Sequence, residues 1–414
     1  MASQRQSPRR RRLPPATPQA PSLTTIHDLK DDIILEIFLR LPSLPSLVRA
    51  ALACRAFLAA VRSSPSFRRR FRALHPPPLV GFFFESIGSD IPSFTPVRRR
   101  SDPDLAAAVR GADVFLTRVP YQEDASTGWE IEECHGGYLL LLNMSTKQIA
   151  AYNPLTRALC LLPTPPDEVS AGSRGQFCID DFFLLSSDEA PGSFRVVSIN
   201  HDRSRVRAAV FSSGTREWQI LPWSGPAPAQ PKGKKCWLLG GTQALGNLYC
   251  AHTKQAYQVV LDTATLQFSF MDLPEHLKGR GDLYTTGETK DRKLCIVSVV
   301  DLTLCVWLRK ADANADAEKW VLDSVIPLEE EVLQATDTEP DDHGTLKIKV
   351  WAVLDGTVYF STLIIGGPGL PCWFLSFCLE TRKLEKLFHK TFDNRVFPYI
   401  MAWPPSLVGN DVSP

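Results

Sequence analysis

The residues best suited to chemistry in this chain are Asp180-Asp181, which stand just before Phe182-Phe183, and Asp341-Asp342-His343, in the run DTEPDDHG. A carboxylate pair can hold a hard cation or pass a proton, and an Asp–His set can do either. Neither cluster comes with further ligands at metal spacing. The first reads as a strand edge and the second as a solvated loop. Glu329–Glu331 reads as a solvated charge run, and Arg280-Gly-Asp282 as a turn. The eight histidines are dispersed. The ten cysteines, at 54, 134, 160, 178, 236, 250, 295, 305, 372 and 378, include no CxxC and no Cys/His pair at zinc spacing. They read as reduced, small core residues of a cytosolic or nuclear protein. The motifs HExxH, GxSxG, GxxxxGK and GxGxxG do not occur. No catalytic residue, metal or cofactor is expected, and the chain reads as a binding protein.

Binding needs surfaces, and residues 25–73 offer an unusual one. From Ile33 to Leu41 only Glu36 and Arg40 are polar. A helix on a globular surface needs one apolar stripe. Here Ile33, Ile34, Ile37 and Leu41 make one face, and Leu35, Phe38 and Leu39 make another. So short a segment cannot bury both, so the second face is expected to meet a partner. Asp28, Asp31 and Asp32 suit a helix N-terminus. Pro42 stops the first helix. Pro45 or Ser46 opens a second run, through Leu47, Val48, Ala51, Leu52, Phe57, Leu58 and Val61. Ser63-Ser-Pro65 ends it, and a short basic helix starts at Ser66-Phe67. The reading is a module of three short helices.

This segment resembles the F-box. Asp32-Ile-Ile-Leu-Glu-Ile-Phe-Leu-Arg-Leu-Pro42 matches the family's first helix and its terminator. Leu47-Val-Arg49, Ala53-Cys-Arg-Ala-Phe57 and Ser64-Pro-Ser-Phe67 follow in the family's order. The match covers about an eighth of the chain. It departs at Leu29-Lys30, where the family has Leu-Pro, and at Phe57, where it has Trp. The resemblance implies docking of a Skp-type adaptor and, through it, a cullin. The implied contact residues are Leu29, Ile33, Ile34, Ile37, Leu41, Pro42, Leu47, Val48, Cys54 and Phe57.

At 414 residues the chain exceeds the usual size of one domain. Its apolar runs are strand-sized, and no membrane association is expected. The net charge of +1 is unevenly divided. Residues 1–75 carry 14 Lys/Arg against 4 Asp/Glu, and the remainder is acidic by nine charges. The basic residues lie in a Pro/Ser/Arg-rich tail, 1–24, and on the helix that holds Arg68–Arg70 and Arg72. No aromatic interleaving accompanies them, so nucleic-acid binding is not expected. The tail is read as disordered. Its Arg9–Arg12 run is a weak nuclear signal, and the expected location is cytoplasmic, nuclear or both. A second disordered tail is expected over 407–414.

After the stiff connector His75-Pro-Pro-Pro78, short Val/Leu/Phe/Tyr/Trp runs alternate with turns, which argues strands. Leu79–Phe84, Gly137–Leu142, Phe194–Ile199, Ala208–Phe211, Gln258–Leu261, Leu294–Val300 and Thr357–Ser361 are examples. Brief helices are expected only at Leu105–Val109 and Pro274–Leu277. A faint repeat runs through the strands: Gly-x-(Leu/Val)-(Leu/Tyr), a strand, a turn such as Asn153-Pro-Leu-Thr156, Asp262-Thr-Ala-Thr265 or Glu380-Thr-Arg-Lys383, then a last strand. Its anchors near Gly137, Phe194, Gly246, Leu294 and Gly356 recur about every 50–60 residues, the kelch-type period. That predicts a β-propeller of about six blades over 79–406, with a strand near Tyr399–Trp403 closing the ring. A stacked sandwich is the competing architecture. Tyr152-Asn-Pro-Leu-Thr-Arg157 and the entry PLVGFFF resemble the propeller-like associated domains of plant-type F-box families.

The expected fold class is therefore α+β multidomain, a helical F-box followed by an all-β domain. The expected function is the substrate-recognition subunit of a Skp–cullin–F-box ubiquitin ligase, itself non-catalytic. The alternatives are a propeller scaffold with a degenerate F-box and a propeller enzyme. The target protein is unknown. Its candidate contact loops are Leu221-Pro-Trp-Ser-Gly225 and Gly366-Gly-Pro-Gly369.

Overall fold

The computed structural model describes residues 29–85, 92–97, 102–120, 128–174, 178–186, 192–202, 205–226, 238–252, 255–311, 318–336, 346–364, 371–391 and 395–408. Four helices open the chain: α1 (Asp31–Phe38), α2 (Leu44–Leu52), α3 (Arg55–Ser63) and α4 (Pro65–Leu74). The run expected to continue from Leu47 to Val61 is two helices, so the module has four helices and not three. The break is at Cys54, whose backbone is extended at φ −151° and whose Sγ accepts the Phe57 N–H. Ser64 does the same for Phe67 and starts α4.

Strands β1 (Leu79–Phe84) and β2 (Ser93–Pro96) come next, then α5 (Pro103–Gly111). Five four-stranded antiparallel meanders follow. They are β3 (Trp129–His135), β4 (Tyr138–Asn143), β5 (Ile149–Asn153) and β6 (Ala158–Leu162); β7 (Cys178–Ser186), β8 (Phe194–His201), β9 (Val206–Ser212) and β10 (Glu217–Ile220); β11 (Leu238–Ala244), β12 (Asn247–His252), β13 (Tyr257–Asp262) and β14 (Phe268–Asp272); β15 (Tyr284–Glu288), β16 (Leu294–Val300), β17 (Thr303–Ala311) and β18 (Glu318–Pro327); and, after α6 (Glu329–Thr336), β19 (Leu346–Leu354), β20 (Thr357–Ile364), β21 (Pro371–Cys378) and β22 (Leu384–Thr391). The last strand, β23 (Val396–Ile400), pairs antiparallel with β1.

The sheets form a six-bladed propeller. The first strand of each meander is innermost, and β3, β7, β11, β15, β19 and β23 pack against one another in turn around the ring. The sixth blade is β23, β1 and β2, three strands in place of four. Its inner strand comes from the C-terminal end of the chain and its other two from the N-terminal side. Ring closure is thus a pairing between segments some 300 residues apart, and it leaves no inner sheet edge open. Each pair of neighbouring blades shares an apolar layer. The layer between the sixth and first blades also contains the helices.

The same turn recurs between the third and fourth strands of several blades. Asn153 Oδ1 accepts the N–H groups of Leu155 and Thr156, each at 3.0 Å, and Asp262 Oδ1 accepts those of Ala264 and Thr265 at 2.9 and 2.7 Å. Four residues after the start of each such turn the chain is left-handed, at Arg157 (φ 60°), Arg216 (φ 61°), Leu266 (φ 58°) and Arg382 (φ 57°). In the fifth blade the turn is Cys378–Arg382, two residues earlier than the Glu380–Lys383 alignment suggested by sequence. Pro274–Leu277 is a single 3-10 turn, and the solvated charge run Glu329–Glu331 is exposed and opens α6, a helix not expected from sequence.

Inner strands approach closely where a side chain is missing. A Cβ on Gly287 of β15 would lie 2.4 Å from the Val353 carbonyl oxygen of β19. Gly287→Ala is therefore expected to destabilise the protein by about 1–3 kcal/mol by forcing two blades apart. Thermal unfolding would register this as a lowered midpoint, and an unchanged midpoint would contradict the close approach.

Candidate functional site

The face that could dock a partner is built on α1. Its residues divide at helical spacing. Ile34 and Phe38 point inward, with the Phe38 ring edge-on to Phe57 at 5.5 Å, and Leu39 is buried beside them. Ile33 and Ile37, one turn apart on the other side, are 49% and 40% exposed. The inward set is thus Ile34, Phe38 and Leu39, which regroups the faces expected from sequence.

The ten expected contact residues fall into three groups. Ile33, Ile37 and Pro42 are exposed. Leu29, Leu41, Val48 and Cys54 are half-buried and pack against the core. Ile34, Leu47 and Phe57 are buried in the shared core, where they carry the helices and offer no free surface. Sequence reasoning missed Leu52, which is 54% exposed at the end of α2. The signal was there: Leu47, Val48, Ala51 and Leu52 are too many apolar residues for one stripe.

The helices are fastened to the propeller on two sides. On one side, Asp104 in the first turn of α5 accepts hydrogen bonds from Ser46 Oγ at 2.8 Å and Arg49 Nη1 at 2.9 Å, both from α2. These bonds, Ser46 first, hold its carboxyl below the usual range. On the other side, the chain that leaves β23 runs beneath the helices. Trp403 meets the Phe71 ring at 6.0 Å, with the Arg72 guanidinium 5.3 Å from its centroid. Arg62 Nε donates to the Ser406 carbonyl at 2.9 Å, and Leu407 is fully buried. His75 Nε2 lies 2.9 Å from the Leu39 carbonyl, which ties the connector to α1.

A continuous open cavity of about 1830 Å³ takes in the central channel and the space beside the helical module, where Pro42, Arg69, Arg72 and His75 line it. Its wall includes Glu132, Glu133, His135, Gln243, Glu288, Arg292, Lys349 and Arg395. Two carboxylates brace the ring, Glu133 from this wall and Glu85 behind it. Glu133 accepts the Leu184 N–H of the next blade, and Glu85, at the end of β1, accepts the Ile131 N–H of β3. Burial pushes the Glu85 carboxyl up to about 7 despite nearby Arg395, and burial lowers His135 to about 4. Among the described residues no three His, Cys, Asp or Glu side chains are placed to hold a metal ion. Asp180 and Asp181 lie in β7, and Asp341, Asp342 and His343 lie outside the described residues. The Leu221–Gly225 loop is committed internally. Trp223 packs under Arg205 and Arg207, at 4.6 and 5.4 Å, and its Nε1 donates to the Ala171 carbonyl. Gly366–Gly369 lies outside the described residues.

The family described as F-box protein AT5G49610-like, beta-propeller matches residues 130–407. No curated protein matches the chain. Solved structures similar to it include the Nup133 β-propeller domain of Vanderwaltozyma polyspora (9% identity, 78% of this chain and 76% of that one, TM-score 0.37) and the Cps50 (Swd1) β-propeller domain of Myceliophteria thermophila (11% identity, 66% and 90%, TM-score 0.33).

Glu85 gives the closing seam a pH dependence. Its folded pKa of about 7 lies above the ordinary 4.5, so the native protein holds a proton that the unfolded chain releases. That contribution is full below pH 4.5 and fades as pH rises through 7. Glu85→Gln keeps an acceptor for Ile131 and removes the titration. The variant should melt above the wild type at pH 8 and level with it at pH 4.5. An equal offset at both values would contradict the assignment.

Proposed function

The chain belongs to the family of F-box proteins with an AT5G49610-like β-propeller, and from that premise we propose that it is the substrate-recognition subunit of a Skp–cullin–F-box ubiquitin ligase. The helical module holds a Skp-type adaptor, and the propeller holds a target protein. The chain performs no bond chemistry in this reading. It keeps a target lysine near the ubiquitin-charged enzyme and so turns a bimolecular encounter into an intramolecular one. The compartment would be cytoplasmic, nuclear or both.

One observation carries the reading. Ile33, Ile37 and Pro42 stay exposed on a module that packs against the propeller through Ile34, Phe38, Leu47, Phe57 and Phe71. Apolar residues left out of an otherwise closed core mark an interaction surface. The propeller has a second surface to offer. The turns β3–β4 and β5–β6 lie at the end that carries the helices, where Tyr399 Oη donates to the Gly137 carbonyl and Gly137 abuts Ala402. The opposite end carries the connections between blades, and connecting loops on a rigid ring suit target recognition. The departure at Phe57 does not favour a degenerate module. Its ring is buried against Phe38, so the loss of a larger ring falls on the core and not on the docking face.

Co-purification of the full chain with a Skp-type adaptor tests the proposal. The wild type should form a stable complex, and Ile33→Asp/Ile37→Asp should abolish it while the melting temperature holds. Ile34→Asp should instead unfold the module, because it buries a charge. A well-folded wild type that binds no adaptor would overturn the reading.

A further inference from the structure

Phe115 is 75% exposed, more than any other large apolar side chain among the described residues. Nothing in the fold calls for a ring there, yet the turn that presents it is firmly built. Asp113 is buried, and its carboxylate accepts hydrogen bonds from Tyr152 Oη at 2.5 Å and Thr117 Oγ1 at 3.0 Å. The Asp113 N–H donates to the Pro154 carbonyl at 2.9 Å, and the Val119 N–H to the Leu116 carbonyl at 2.9 Å. Burial alone would raise the Asp113 carboxyl. The bonds from Tyr152, Thr117 and Arg118 hold it below the usual range, so the anion that organises the turn persists at neutral pH. Leu116 is left-handed at φ 55°, a conformation that a branched residue rarely adopts. The result is a buried Leu116 and a Phe115 held out in solvent.

The position of the turn says which partner could reach it. It is anchored on the β5–β6 turn, through Pro154 and through Arg157 Nη2 on the Gly111 carbonyl at 3.3 Å. In an antiparallel meander that turn lies at the same end as the β3–β4 turn, which is the end that carries the helices. The helix leading into it, α5, is itself bonded to α2 through Asp104. The exposed charge around it is mostly positive. Arg110, Arg118 and Arg157 are exposed close to Phe115 in the chain or at its anchor, and residues 29–75 carry nine cations against three carboxylates. An aromatic anchor among arginines is the composition of an interface hot spot.

We propose that Phe115 is a second anchor for the adaptor, entering an apolar pocket in an acidic protein surface and extending the interface from α1 onto the propeller domain. This rests on the adaptor reading given above. Calorimetric titration of the full chain with a purified Skp-type adaptor tests it, using Phe115→Ser, Phe115→Arg and, as a control, Met144→Ser. Met144 is a partly exposed apolar residue in the β4–β5 turn at the opposite end. Both Phe115 variants should bind about tenfold more weakly with an unchanged melting temperature, and Met144→Ser should bind as the wild type does. If the wild type binds and the Phe115 variants bind equally well, Phe115 is no anchor and the adaptor reading stands. If the wild type does not bind, the adaptor reading fails and this proposal fails with it.

Discussion

The seam between the sixth and first blades is the constraint on which the rest of the structure depends. Five inter-blade layers are closed by neighbouring sheets, with α6 adding Val332 to the one between the fourth and fifth blades. The sixth must join β1 and β2 to a strand from the far end of the chain, and it must also accommodate four helices. One apolar cluster does both. It runs from Val80 and Phe83, through Tyr399 and Tyr152, to Leu47, Phe57 and Phe71. The chain that leaves β23 then passes under α4 with Trp403 and Leu407. Ring closure and the seating of the helices are therefore a single packing event. A polar substitution anywhere along that cluster would loosen both.

This arrangement explains the split character of α1. A helix packed on a propeller through one face can spare its other face for a partner, provided its orientation is fixed by contacts elsewhere. Asp104 on one side of the module and Ser406 on the other provide those contacts. They are individually modest, as exposed polar pairs usually are. They leave Ile33, Ile37 and Pro42 with one direction to face. In the proposed role the protein contributes proximity, and direction is then the useful quantity, since a target held at an arbitrary angle gains little from being tethered.

Much of this was legible in the sequence, and the exceptions have physical causes. The first strand after the connector was read at its bounds, because LVGFFF is buried along its whole length. The blade count was legible because strand anchors from Gly137 to Gly356 recur about every 50–60 residues, and the closing strand, expected near Tyr399–Trp403, was legible but runs Val396–Ile400. The repeat was nevertheless entered one strand late. Its anchors mark β4, β8, β12, β16 and β20, while the inner strands before them escaped notice. Those strands line the channel and carry Glu, Thr, Gly and Lys in place of alternating apolar residues. Bulges at 131/133, 179/182, 238/241 and 350/352 break their period. At the site, Ile33, Ile37 and Pro42 were legible as a face. Ile34, Leu47 and Phe57 were not separable from it, since apolar character alone does not say which side of a helix the rest of the chain will cover. Phe115 was invisible, because its exposure depends on a turn set by Asp113 and Tyr152, 39 residues apart.

Amide hydrogen exchange of the full chain, with and without a Skp-type adaptor, tests the central claim most directly. That claim is that the helical module is the docking element and that it is seated on the propeller without using its outer face. Protection should rise over α1 and α2 on adding the adaptor, while the strands of the second to fifth blades exchange as before. Protection confined to the blades, or none at all, would contradict the account.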